Sequence, residues 1–79
     1  MRQRKTIRLN TVDKVKTFTA RAMMYPGDLY VKNEKFVVDG KSIMGLFSLD
    51  LSAELELETD CDSPLTFAND FEVVEDPFS

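Results

Sequence analysis

"KSIMGLFSLDLS", residues 41–52, decides how this chain folds. Ser42 precedes four apolar residues and a glycine within five positions. A hydroxyl placed there reads as a helix N-cap, because its oxygen can accept from a first-turn amide that has no partner inside the helix. The helix so started is expected over 43–50. Leu46 and Leu49 share one side of it and are assigned to the core. Met44 and Phe47, also three apart, fall on another side and are assigned to the surface. Gly45 costs about 1 kcal/mol relative to Ala inside a helix. A second backbone, in the domain or in a partner, is therefore expected to approach it closely.

Working outward, "DLYVKN" (28–33) and "KFVVD" (35–39) read as two short strands of a hairpin turning at Asn33 and Glu34. On the other side, "AELELET" (53–59) sets Leu55 and Leu57 against Glu54, Glu56 and Glu58, the alternation of a strand with one buried face. "RKTIRLN" (4–10) does the same with Ile7 and Leu9 against Arg8 and Asn10. Between them lies a helix over 12–23. Thr11 is its cap, Asp13 puts negative charge in the first turn, and Val12, Val15, Phe18, Thr19 and Ala22 recur at helical spacing. Pro26 and Gly27 stop it. Ser63 and Pro64 mark a third helix near 64–74, with a weak stripe of Leu65, Ala68, Phe71 and Val74. The tail "EDPFS" is expected to stop or fray. The order β-α-β-β-α-β-α predicts one α+β domain over 1–79, with helices covering one face of a sheet.

Charge is divided along the chain. Seven of the ten Lys and Arg lie in residues 1–21, and none follows Ser42. A basic arm can bind nucleic acid, but the net charge is −4 and no aromatics interleave with the arm. Pairing within the molecule is the reading adopted. If strands 4–10 and 53–59 are neighbours, Arg4 and Arg8 share an exposed face with the three glutamates, and each opposite-charge pair contributes about 0.2–1 kcal/mol.

The chain has no histidine and one cysteine, Cys61. A serine or cysteine triad has no base, and zinc has no plausible ligand set. Asp60 and Asp62 lack the loop pattern of a calcium site. Neither enzyme, cofactor nor metal is expected. No apolar run approaches the roughly 18 residues of a membrane span, and the basic N-terminus lacks the apolar stretch of a secretory signal. With a lone cysteine, the expectation is a cytoplasmic protein.

The stretch "VDGKSIMGLFSLDLS", residues 38–52, resembles the regulatory-serine signature of the HPr family, the phosphocarriers of the bacterial sugar phosphotransferase system. The element order agrees over the whole chain. The resemblance implies an open-faced β-sandwich with a four-stranded antiparallel sheet, the first strand beside the fourth. It also implies phosphorylation of Ser42 by an HPr kinase/phosphorylase. Ile43, Met44 and Phe47 correspond to a partner-docking patch, and a catabolite-control transcription factor is an implied partner. One feature departs from the family. HPr proteins carry phosphate on a histidine at the start of the first helix, and here Thr11 stands in that place, with Asp13 where the family has an arginine. A carboxylate there repels phosphate, and threonine without a base is a poor nucleophile. The expectation is therefore a regulatory binding protein acting through Ser42 with a degenerate carrier site. The alternative is a constitutive interaction domain in which Ser42 is only a cap. The sequence leaves the oligomeric state open.

Overall fold

The computed structural model describes residues 2–73. Its elements are β1 (Gln3–Ile7), α1 (Val12–Ala22), β2 (Tyr30–Lys32), β3 (Val37–Asp39), α2 (Ile43–Phe47), β4 (Leu55–Thr59) and a 3-10 helix over Thr66–Phe71. The four strands form one antiparallel sheet in the order β1-β4-β2-β3. The helices cover one face, giving the open-faced α+β sandwich expected.

Alternation in the strands divides the sheet's two sides. Ile7, Val31, Leu55 and Leu57 are buried beneath Val15, Phe18 and Ala22 of α1, Leu46 of α2, and Ala68 and Phe71 of the 3-10 helix. Phe18 anchors this layer, with ring centroids 5.5 Å from Phe67 and 5.6 Å from Phe71. On the open face, Arg4 lies opposite Glu58 in the β1–β4 register. Arg4 Nε is 2.8 Å from Glu56 Oε1 and 3.2 Å from Glu58 Oε1, and Arg8 Nη2 is 3.8 Å from Glu54 Oε1. Lys32 of β2 joins from the other side, 3.0 Å from Glu58 and 3.8 Å from Glu56. The basic and acidic strands are neighbours, and their charges pair as expected for that arrangement.

Several bounds shift, each for a local reason. The strand expected over 4–10 ends at Ile7, opposite Leu55. Leu9 stays buried beyond it, while Thr11 turns to cap α1. The strand expected from 53 starts at Leu55, because Asp50 Oδ1 accepts from Ser52 N and Oγ and Ala53 N donates to the Asp50 carbonyl. That turn uses the residues the strand would need. The hairpin pivots on Glu34 and Lys35: Asn33 Oδ1 accepts from the amides of Lys35 and Phe36, and Asn33 N donates to the Phe36 carbonyl. The second helix stops at Phe47 rather than Asp50. Ser48 Oγ donates to the Gly45 carbonyl at 2.5 Å and Leu49 N donates to Leu46 O, tightening the last turn while keeping Leu49 buried.

The third helix is not an α-helix over 64–74 but a 3-10 helix over Thr66–Phe71. Its buried residues Ala68 and Phe71, with Leu65 before them, recur every third position, and three is the 3-10 repeat. The stripe was weak as an α-helical signal because it carries the shorter period. Its start is also displaced from Ser63, whose carbonyl accepts from Gln3 Nε2 and from the Tyr25 hydroxyl. Val74 and the tail lie outside the described residues.

Candidate functional site at the start of the second helix

Ser42 is held from both directions. Its amide donates to the Asp39 carbonyl at 3.0 Å, which ties it to the end of β3. Its carbonyl accepts from Leu46 N at 3.0 Å, and its Oγ accepts from Gly45 N at 3.1 Å. Backbone angles of φ −102° and ψ 110° are those of an N-cap. Two further bonds fix the approach. Lys41 N donates to Asp39 Oδ1, and Lys41 Nζ reaches across to the Tyr25 carbonyl at 2.8 Å. Ser42 itself is half-buried.

The patch expected beside it divides in two. Met44 is 78% exposed and Phe47 42%, both unusually open for large apolar side chains. Ile43 instead is half-buried and packs against the core. Leu46 and Leu49 face inward. The close neighbour of Gly45 is not a backbone: a β-carbon there would lie 3.3 Å from the Val38 side chain and from Ser42 Oγ. Glycine at 45 thus lets α2 settle on β3 and leaves room for the cap.

Thr11 and Asp13 lie at the other helix start. Thr11 is exposed, with φ −134° and ψ 155°, and its Oγ1 accepts from Lys14 N at 3.1 Å. Asp13 is exposed in the first turn, and Lys14 Nζ is 3.1 Å from Asn10 Oδ1. The site therefore presents a carboxylate to any anion arriving at this helix end.

Two features were not found by reading the sequence. An open cleft of about 760 Å³ lies between the hairpin turn and the segment after α2, lined by Lys35, Phe36, Ser48, Asp50 and Glu54 among others. Ser42 does not line it. Ser52 bonded to Asp50 holds that carboxyl below its ordinary range. The second feature surrounds Glu58, only 8% exposed. Lys32 hydrogen-bonded to it holds its carboxyl below the ordinary range; burial opposes this, and Arg4 and Arg2 reinforce it. Its Oε1 has no hydrogen bond and lies 3.2 Å from Arg4 Nε. Lys32, at the far side of β4, carried no signal of this role in its own short strand.

Tyr25, buried under the loop before the 3-10 helix, donates to the Ser63 carbonyl, and burial pushes its phenol up. Among the described residues no three Cys, Asp or Glu side chains are grouped to hold a metal, and no helix is long and apolar enough to cross a membrane.

Comparison with protein-family models, curated proteins and solved structures gave no match to this chain.

Proposed function

We propose that this chain is an HPr-like regulatory protein of the bacterial cytoplasm that acts by binding, switched by phosphate on Ser42. The observation that carries the reading is the conjunction at the start of α2: a capping serine with Met44 and Phe47 exposed on the turn it begins. A phosphate on Ser42 adds about −1.5 to −2 charges beside apolar surface. Its oxygens can still accept from the Gly45 amide, so the fold need not change. A partner reading both features would supply a cation for the phosphate and an apolar pocket for Met44 and Phe47. The resemblance of residues 38–52 points to an HPr kinase/phosphorylase as modifier and to a catabolite-control transcription factor as that partner. Phosphoryl transfer from a histidine is excluded, since the chain has none.

The second reading is a constitutive interaction domain. It is favoured by the Ser42–Gly45 bond, which by itself accounts for a serine at this position. Incubation with an HPr-type serine kinase and ATP separates the two. Phosphate confined to Ser42, and lost in Ser42→Ala, supports the switch. No incorporation after prolonged treatment assigns Ser42 to the cap alone.

A further inference from the structure

The two edges of the sheet are finished differently. In the β1–β4 register the main-chain groups of Thr6 and Arg8 point away from β4. They are used: Val73 N donates to Thr6 O at 2.8 Å, and Arg8 N donates to Phe71 O at 2.9 Å. At the other edge, β3 pairs with β2 through Val31 and Val38. Flanking bonds run from Asn33 N to Phe36 O and from Gly40 N to Leu29 O. By the same alternation, the main-chain groups of Val37 and Asp39 point outward. The Asp39 carbonyl accepts from Ser42 N. Val37 N–H, Val37 C=O and Asp39 N–H have no hydrogen-bond partner among the described residues.

Edge strands are usually blunted by charge, proline or a covering segment. Between the charges of Lys35 and Asp39, this one carries exposed Val37 at 64%, with Phe36 at 58% just before the strand. The open groups are few, so a long foreign strand gains little from them. A two-fold axis through Val37 uses the same groups twice: each Val37 amide donates to the carbonyl of the other, an isologous contact. The same axis brings Lys35 of each copy to the level of Asp39 in the other, and Phe36 to the level of Val38. Sliding the second copy by two residues loses both Lys35–Asp39 pairings, and sliding it by four opposes Lys35 to Lys35 or Asp39 to Asp39. Charge thus selects the register that also pairs Val37 with itself.

We propose that β3 is a self-association edge, at which a second copy of this chain pairs antiparallel through Val37 to make a continuous eight-stranded sheet. The short strand sets a weak dimer, populated at high micromolar concentration.

Sedimentation equilibrium from about 10 μM to 1 mM, combined with amide exchange by NMR, tests this. The expected result is a concentration-dependent dimer whose formation slows exchange at Val37 and Asp39. Val37→Lys places two like charges on the axis and should leave a monomer throughout, with unchanged circular dichroism. Lys35→Glu should weaken association about tenfold, as expected for two ion pairs turned repulsive. A monomer throughout that range overturns the proposal. So does a dimer that persists in Val37→Lys, or one that protects amides away from Val37 and Asp39. The exchange measurement on the unaltered chain decides the matter even if a variant folds poorly.

Discussion

At the start of α1, Thr11 Oγ1 accepts from Lys14 N at 3.1 Å; at the start of α2, Ser42 Oγ accepts from Gly45 N at the same distance. Both residues have extended backbone angles, and both satisfy one amide that the helix leaves open. Their surroundings differ. Beyond Thr11 stands the carboxylate of Asp13, on a helix of eleven residues whose first turn already has its favourable negative charge. Beyond Ser42 there is no acid in the first turn, and Met44 and Phe47 open outward. The same cap therefore serves two purposes: at Thr11 it finishes a helix, and at Ser42 it leaves an acceptor beside unpartnered apolar surface. Hydrogen bonding does not distinguish a modification site from a structural cap. On the proposed reading the charge within one turn does, since Val12 beside Thr11 is an exposed apolar residue as well.

The largest effects should come from rebuilding the first site. The chain should accept no phosphate from phosphoenolpyruvate through Enzyme I, the donor HPr proteins use. Thr11→His alone should restore little, because Asp13 remains beside the incoming dianion. Thr11→His with Asp13→Arg supplies nucleophile and cation together, and acid-labile labelling should become detectable. A silent double variant would count against an HPr-like carrier site at this helix start.

Cap removal comes next. Thr11→Ala and Ser42→Ala should each cost about 1 kcal/mol in urea unfolding, as capping residues do. Ser42→Asp should be nearly neutral, since Asp also caps well. A loss of several kcal/mol in Ser42→Asp would mean the hydroxyl sits too deep to be modified. The exposed patch should matter less to folding: Met44→Ser should stay within about 0.5 kcal/mol, the range of ordinary surface changes. Any loss of partner affinity in that variant is then a binding effect.

The smallest effect lies away from both helix starts. Glu58 has its folded-state pKa lowered, with Lys32 as the main cause. Its contribution is present above the unfolded carboxylate pKa and is lost as pH falls through the folded one. Glu58→Gln should therefore flatten the acid side of a stability–pH profile while leaving the alkaline side alone. An unchanged acid limb would show that the Lys32–Glu58–Arg4 group is held too loosely to matter.

Legibility in the sequence followed the strength of local pattern. Leu55 and Leu57 against three glutamates, and Ile7 against Arg4 and Arg8, marked each strand and its buried face, while the placing of β1 beside β4 came from the resemblance of residues 38–52. Thr11 and Ser42 announced both helix starts because a cap is a local event. The 3-10 helix was misread because Leu65, Ala68 and Phe71 differ from an α-helical stripe by less than one residue per turn. The end of α2 was missed because Ser48 and Leu49 close it with bonds that no composition signals. The contact over Gly45 was expected from a backbone and came from Val38, since crowding can be inferred from a glycine but the neighbour cannot. Lys32 and the open cleft were invisible for a related reason: each is made by residues distant in the chain whose own segments read as plain strand or turn.

The central claim is that one of the two capped helix starts takes phosphate and the other does not. One sample exposed in turn to Enzyme I with phosphoenolpyruvate and to an HPr-type serine kinase with ATP tests it, read by mass spectrometry that locates each phosphate. The account predicts no phosphate after the first treatment and a single phosphate, on Ser42, after the second. Phosphate at Thr11, or an unmodified Ser42 after both, would contradict it.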